Sequence, residues 1–289
     1  MTSNLEDIAV KVRQIETRNP VYAELVQWVG DLLTVTVKAS ETFHPSGINF
    51  ESEPFPTTWF QGKSLLNPEE LALNWDQAKD LYHQLVDQLK ARPEGLRQIE
   101  GLEQALAEDQ DGIPSLMKAL LASDFNSIET TAKKFGIDPP VLGLFLHLSM
   151  RPALLAAAQA AVSRLDLNKW HYGHCPVCGS APRLADLSGE GGKRTLHCSL
   201  CETAWPYVRL RCPFCENENR KDLSYLKAEN EDYLRVDLCG RCGQYIKTID
   251  LRELPESIIL PLDDVATWHL DLIAQENLEG QGNTQSLII

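Results

Sequence analysis

Four Cys-x-x-Cys pairs crowd into one quarter of this chain. Cys175/Cys178, Cys198/Cys201, Cys212/Cys215 and Cys239/Cys242 hold all eight of its cysteines, and the gaps between pairs are 19, 10 and 23 residues. Two long gaps flank a short one, so the segment reads as a duplicated unit of knuckle, hairpin and knuckle. A Cys-x-x-Cys turn aims two thiolates at one ion, and two such turns at the ends of a β-hairpin supply four. Four soft sulfurs select zinc or iron. The 19-residue gap falls within the usual four-cysteine spacing, and 23 lies slightly beyond it.

Other chemistries fit less well. A redox disulfide uses one Cys-x-x-Cys pair beside a βαβ pattern, and none is visible here. A nucleophilic cysteine would stand alone with a base, whereas every cysteine is paired. The N-terminus, MTSNLEDIAVKV, has no basic stretch followed by an apolar core, so a cytoplasmic protein is expected, where structural disulfides are rare. Two metal ions are therefore expected, one per ribbon if the pairs associate in sequence. A cross-brace of first with third and second with fourth is the alternative. With four thiolates available per ion, His174 and His197, each directly preceding a cysteine, are expected to be bystanders. A closed four-thiolate site leaves no position for water or substrate, which argues against metal-assisted hydrolysis. Spacing does not separate zinc from iron.

The first 165 residues contain no cysteine and read as helices. Asn4 can cap a helix LEDIAVKVRQIETR ending before Pro20, and a second is expected from about Val21 to Thr42. Residues 43–63 read as a long loop of the kind that wraps a neighbour. Further helices are expected over Trp75–Ala91, Glu94–Ala107, Ser115–Ala122 and Ser127–Phe135, the last two opened by serines and the last stopped by Gly136. Val141 to Arg164 should give one or two helices, broken or kinked near Pro152. His147, Arg151 and Pro152 interrupt its apolar run before it reaches the roughly 20 residues of a membrane span, so it reads as a buried helix.

Beyond residue 165 the apolar period changes to alternation. KRTLHC, WPYVRLRC, DLSYLKAE, YLRVDLC and QYIKTIDL read as strands, and DDVATWHLDLIAQE as a final helix, followed by a loose tail from Gly280. The expected architecture is α+β. An all-α bundle (residues 1–165) is followed by two tandem rubredoxin-like or zinc-ribbon subdomains (166–208 and 209–255), then a C-terminal helix and tail (256–289). The net charge of −14 disfavours a nucleic-acid partner, because phosphate binding draws on a surplus of Lys and Arg. No phosphate loop or Ser/His/Asp order is present, so a binding protein rather than an enzyme is expected.

Taken together, HCPVCGSAPRLADL, GGKRTLHCSLCETAWPYVRLRCPFC, YLRVDLCGRCGQYIKTIDL and PLDDVATWHLDL resemble the formate dehydrogenase accessory (formation) protein family. The resemblance covers about residues 145–273. It rests on the order and spacing of the cysteines, Trp205 after the second knuckle, Tyr245-x-Lys247 after the fourth, and the pair Asp263 and Asp264. The segment ENLEGQGNTQ departs from the aromatic and arginine expected after the last helix. The resemblance implies a cytoplasmic factor that contacts the catalytic subunit of a respiratory formate dehydrogenase and assists its maturation without oxidising formate. It also implies a rubredoxin-like C-terminal part with iron held by the eight cysteines. Asp263 and Asp264 open the last helix, where its dipole favours carboxylates. The functional alternative is that Asp264, Thr267 and Asp271 share a face, beside Asp263, that meets the partner.

Overall fold

A reciprocal capping box starts the chain. Asn4 accepts from the Asp7 amide and Asp7 from the Asn4 amide, so the first helix begins as the sequence predicts. The computed structural model describes residues 4–41, 56–90, 96–107 and 112–280. The helices are α1 (Leu5–Arg18), α2 (Ala23–Ser40), α3 (Trp75–Lys90), α4 (Leu96–Ala107), α5 (Gly112–Leu121), α6 (Phe125–Phe135) and α7 (Pro139–Val162). Neither α5 nor α6 is opened by the expected serine. α5 begins at Gly112, and the side chain of Asp124 caps α6 by accepting from the Ser127 amide. Gly136 ends α6 at φ 66°, in the left-handed region where a residue without Cβ is favoured.

α7 runs through Pro152 as one helix instead of breaking there. Its residues 148–154 are all buried among the other helices, and packing on every side outweighs the hydrogen bond that proline removes. By length and composition this helix could cross a membrane, but its apolar surface is spent inside the bundle.

The β half is a six-stranded sheet of β1 (Pro182–Ser188), β2 (Lys193–Cys198), β3 (Ala204–Tyr207), β4 (Leu223–Ala228), β5 (Glu231–Cys239) and β6 (Gln244–Asp250), ordered β3-β2-β1-β6-β5-β4. Each ribbon is an antiparallel meander of three strands. They join through one parallel pair, β1 with β6, in the register Leu184–Lys247 to Leu187–Asp250. The duplicated sequence thus becomes two like units set edge to edge, which removes one free edge from each. β1 is absent from the sequence reading. Buried on both faces at the centre of the sheet, it shows no alternation to be read.

The chain closes with α8 (Leu260–Ala266) and α9 (Trp268–Gly280). The single final helix that was expected is therefore two helices, divided at Thr267, whose hydroxyl donates to the carbonyls of Asp263 and Asp264. The tail beyond Gly280, Thr42 and residues 43–55 of the long loop lie outside the described residues.

Two cores result. One runs without interruption from the helices into the first ribbon, taking in Phe145, Trp59, Trp170, Val177, Leu196 and Trp205. The other lies between the second ribbon and α9, with Val236, Leu238, Ile249, Leu270 and Ala274. The first ribbon thus shares the core of the bundle, while the second packs chiefly on α9.

Buried ion pairs fix the C-terminal segment. Lys11 of α1 is 2% exposed. It meets Asp263 at 2.7 Å and Glu256 at 3.2 Å, and donates to the Ser257 carbonyl. Arg18 reaches Glu256 at 2.6 Å. Tyr22 and His269 bond twice, through ring and backbone. The first and last elements are therefore one structural unit.

The ribbons also meet at a point where no side chain fits. A Cβ on Gly173 would stand 1.8 Å from the Pro213 carbonyl oxygen. Gly173→Ala must push the third knuckle away from the first, and a loss of about 3 kcal/mol in urea unfolding is expected. An unchanged midpoint would show that this approach is not rigid.

Candidate metal centres

The cysteines gather in sequence. Cys175, Cys178, Cys198 and Cys201 form one group and Cys212, Cys215, Cys239 and Cys242 the other, each with its four sulfurs within 4.8 Å of one another. This is the tandem arrangement, not the cross-brace. Cys175 Sγ lies 3.6 Å from Cys201 Sγ, and Cys178 Sγ lies 3.3 Å from Cys198 Sγ. In the second group, Cys212–Cys242 and Cys215–Cys239 are each 3.7 Å apart. A disulfide would require about 2.05 Å. Four sulfurs at about 2.3 Å from a common ion stand about 3.8 Å apart at the corners of a tetrahedron. The donor set and its spacing fit a four-thiolate ion in both groups.

The knuckles are shaped by their backbone. In all four, the residue after the second cysteine has positive φ: Gly179 (79°), Glu202 (55°), Glu216 (58°) and Gly243 (69°). The amides just before this left-handed step face sulfur. Val177 N and Cys178 N donate to Cys175 Sγ, and Leu200 N and Cys201 N to Cys198 Sγ, at 3.4–3.5 Å. Backbone bonds close the turns, with Cys175 N to Ser180 O, Cys198 N to Thr203 O and Cys212 N to Asn217 O all at 2.9 Å. Glycine takes the left-handed step freely. Glu202 and Glu216 take it under steric load, and each carboxylate is held by an arginine, Arg151 and Arg211 respectively.

The two centres differ in environment. The first group is wholly buried, whereas Cys215 and Cys242 of the second are half-buried. Burial pushes the Cys175 and Cys198 thiols well up, while bonds from Cys175, Cys198 and Cys201 pull Cys178 well down. Burial raises Cys212 to about 11 and raises Cys242 as well. A metal binds the thiolate form, so loss of protons from these thiols is coupled to metal binding and to the fold.

Three elements outside the ribbons grip the first centre. From the long loop, Trp59 Nε1 donates to Pro176 O, and the Leu65 and Leu66 amides donate to Pro176 O and Val177 O. From the junction, Trp170 Nε1 donates to the His174 carbonyl at 2.8 Å. From α7, His147 Nε2 bonds Leu200 O at 2.8 Å, and Arg151 pairs with Glu202 through both Nε and Nη2. Burial would raise the Glu202 carboxyl, but Arg151 outweighs it and holds the group below the ordinary range. His147 and Arg151, one helical turn apart, were visible in the sequence as interruptions of an apolar run. Their four-residue spacing puts them on one helix face but does not name the neighbour they serve.

His174 and His197 stand aside from the sulfurs. His174 Nε2 bonds the Gly62 carbonyl and His197 Nε2 bonds Asp186. The four residues expected on a partner-facing helix are engaged inside the chain. Asp263 holds Lys11 and accepts from the Ile259 amide. Asp264 takes both Arg183 and Lys247, Thr267 is buried at the helix break, and Asp271 accepts from Lys247 and Tyr245. The Tyr245-x-Lys247 motif thus docks the second ribbon onto α8 and α9.

Burial acts to raise Asp264, but Arg183 and Lys247 outweigh it and hold it well below its usual 3.8. A carboxyl lowered by folding adds stability above its unfolded pKa and loses it as pH falls through the folded one. Asp264→Asn should therefore cost about 3 kcal/mol at neutral pH, and the difference from wild type should shrink below about pH 4. Denaturant curves at pH 7 and pH 3 check this. A constant gap would mean that folding does not lower the pKa of Asp264.

Comparison with known proteins agrees with this geometry. The family model described as "FdhE, central domain" matches residues 174–209, which are the first ribbon. Salmonella choleraesuis "Protein FdhE" is 33% identical over 213 residues, covering 72% of this chain and 63% of that protein. Aquifex aeolicus "Protein FdhE homolog" is 34% identical over 164 residues, 55% of this chain and 56% of its own. The chain is similar to FdhE proteins in sequence and in fold. The matches span less than two-thirds of the length of these two FdhE relatives. The crystal structure of the FdhE protein from Pseudomonas aeruginosa has the same fold at TM-score 0.63 and 21% identity, over 98% of this chain and 94% of that one. The resemblance read from the cysteine segments is thus the family found.

Proposed function

We propose that this protein is a cytoplasmic accessory factor, not an enzyme, that binds the catalytic subunit of a respiratory formate dehydrogenase and assists its maturation. The observation that carries this reading is the pair of four-thiolate groups set in an FdhE fold. The eight cysteines hold two metal ions, with iron favoured by the family resemblance and zinc the alternative. When bound, such an ion completes the ribbon and, if iron, can change oxidation state. With four sulfurs around each ion, no ligand position is open for hydrolytic chemistry.

The client contact is placed on the C-terminal helices. Asp271 keeps a fifth of its side-chain surface, and Trp268 and Leu272 on the same side of α9 are 58% and 53% exposed. Asp263, Asp264 and Thr267 support that surface from below. The test is a pull-down of formate dehydrogenase catalytic subunit on the full-length protein, repeated with Trp268→Ala/Leu272→Ala. Capture by wild type and loss in the variant is expected, and no capture by wild type overturns the reading.

The half-exposed second centre favours one further reading, an electron-transfer protein with four-thiolate iron. Metal analysis with an absorption spectrum of anaerobically purified protein separates the two. A colourless zinc protein excludes electron transfer, while iron with a reversible potential and rapid exchange supports it.

A further inference from the structure

Among the described residues, one buried guanidinium lacks the partner that its neighbours have. Arg194 on β2 is 4% exposed. Its Nη1 donates to the carbonyls of Arg209 and Arg211, at 3.4 and 3.2 Å. Its Nε and Nη2 have no acceptor within hydrogen-bonding distance. The carboxylate paired with it, Asp237, stands 3.8 Å from Nη2 and is already occupied. Asp237 accepts from Thr248 Oγ1 at 2.7 Å and from Arg235 Nη2 at 3.2 Å. Arg235 Nε also lies near it without a hydrogen bond.

The unused atoms of Arg194 form one edge of the guanidinium, the edge that carries two parallel N–H donors. Elsewhere in the chain this edge meets a carboxylate. Arg151 presents it to Glu202, Arg183 to Asp264 and Arg252 to Asp250. The pattern matches the two oxygens of a carboxylate or phosphate. Leaving such donors dry and unpaired is costly, because each has given up its water.

Arg194 lines a cleft of about 130 Å³ between the sheet and the segment 209–214, larger than a single water needs. Arg209 and Arg235 also line it, and Tyr225 and Phe214 form apolar walls. Arg211 is balanced by Glu216 and Glu218. Among the arginines and carboxylates that line the cleft, this sets Arg194, Arg209 and Arg235 against Asp237. A local cationic excess in a chain of net charge −14 is a selective feature. We propose that this cleft binds a small oxyanion, a carboxylate or a phosphate, on the Nε/Nη2 edge of Arg194 and on Arg235. Cys212 and Cys239 line the same cleft, so the oxyanion would sit beside the second thiolate group.

The test uses the full-length protein as purified. Sodium acetate, phosphate and sulfate are titrated at constant ionic strength, with sodium chloride as the control, and binding is read by calorimetry. Saturable binding of at least one oxyanion, unmatched by chloride, is expected, and the arms show whether carboxylate or phosphate is preferred. Arg194→Met and Arg235→Gln should each weaken it at least tenfold. If Arg194→Met does not fold, the wild-type titration and Arg235→Gln decide. Binding no different from chloride overturns the proposal. So does unchanged oxyanion affinity in a folded Arg194→Met or Arg235→Gln variant, because the anion would then bind elsewhere.

Discussion

Cys198→Ser is expected to collapse the melting transition of the whole helical half, whereas Cys242→Ser should loosen the second ribbon and leave the bundle folded. Both variants lose one thiolate of four, so the chemistry of the loss is the same. The difference comes from where the two centres sit. Cys198 and its three partners lie in the core that continues into the bundle, beside Trp205, Trp170 and Phe145. The loop at Trp59, the junction at Trp170 and α7 through His147 and Arg151 all bond to the first two knuckles. A four-sulfur structural site contributes on the order of 10 kcal/mol of folding free energy, comparable to the whole stability of a typical domain. Removing it from a shared core leaves little to hold the rest. Cys242 is half-buried, and its ribbon packs chiefly on α9 in the smaller core. The measurement is metal content with thermal unfolding followed by circular dichroism. One equivalent of metal should remain in each variant, with the helical signal melting far earlier in Cys198→Ser. Equal melting of the two variants would mean that the first centre does not brace the bundle, and full metal content in either would mean that its sulfur is not a ligand.

Much of this arrangement could be read in the sequence because its signals are local. The eight cysteines, their grouping and the antiparallel hairpins follow from spacing and alternation. So do the capping box at Asn4 and the stop at Gly136. What could not be read depends on distant neighbours. β1 hides because a strand covered on both faces loses its period of two. α7 passes through Pro152 because burial all around holds the helix together, and no residue near Pro152 announces that. The division of the last helix at Thr267 is set by the Thr267 hydroxyl folding back on two carbonyls, in a stretch whose apolar pattern continues across the break.

The candidate site shows the same divide. The identity of the sulfurs was legible, but the clamp around them was not, since His147, Arg151 and Trp59 are remote in sequence from the cysteines they brace. The C-terminal acidic residues illustrate why charge on a helix is a weak guide to a surface. Asp263, Asp264 and Asp271 look solvent-facing in a chain with a large acidic excess. Each in fact answers a cation contributed by an earlier element, Lys11, Arg183 or Lys247.

The Lys11–Asp263 pair gives the second large effect. Both side chains are 2% exposed, and they link the first helix to the eighth across nearly the full length of the chain. Lys11→Ala removes the ammonium and leaves a carboxylate in a dry site with only the Ile259 amide as donor. Breaking a buried pair in this way costs about 3–5 kcal/mol. Burial already raises the Asp263 carboxyl above its usual value although Lys11 opposes it, so loss of Lys11 must raise it further. A carboxyl with a raised folded pKa favours the native state only at low pH, where it is protonated. The deficit of Lys11→Ala should therefore narrow as pH falls, here because the variant is relieved and not because the wild type weakens as it does through Asp264. The double variant Lys11→Met/Asp263→Leu separates charge from packing. If the cost of the single variant is the stranded carboxylate, the double variant should recover most of it, because two apolar side chains can replace a buried ion pair with little loss. Equal instability of single and double variants at all pH values would show instead that α1 is held by shape, and that the ion pair merely accompanies the contact.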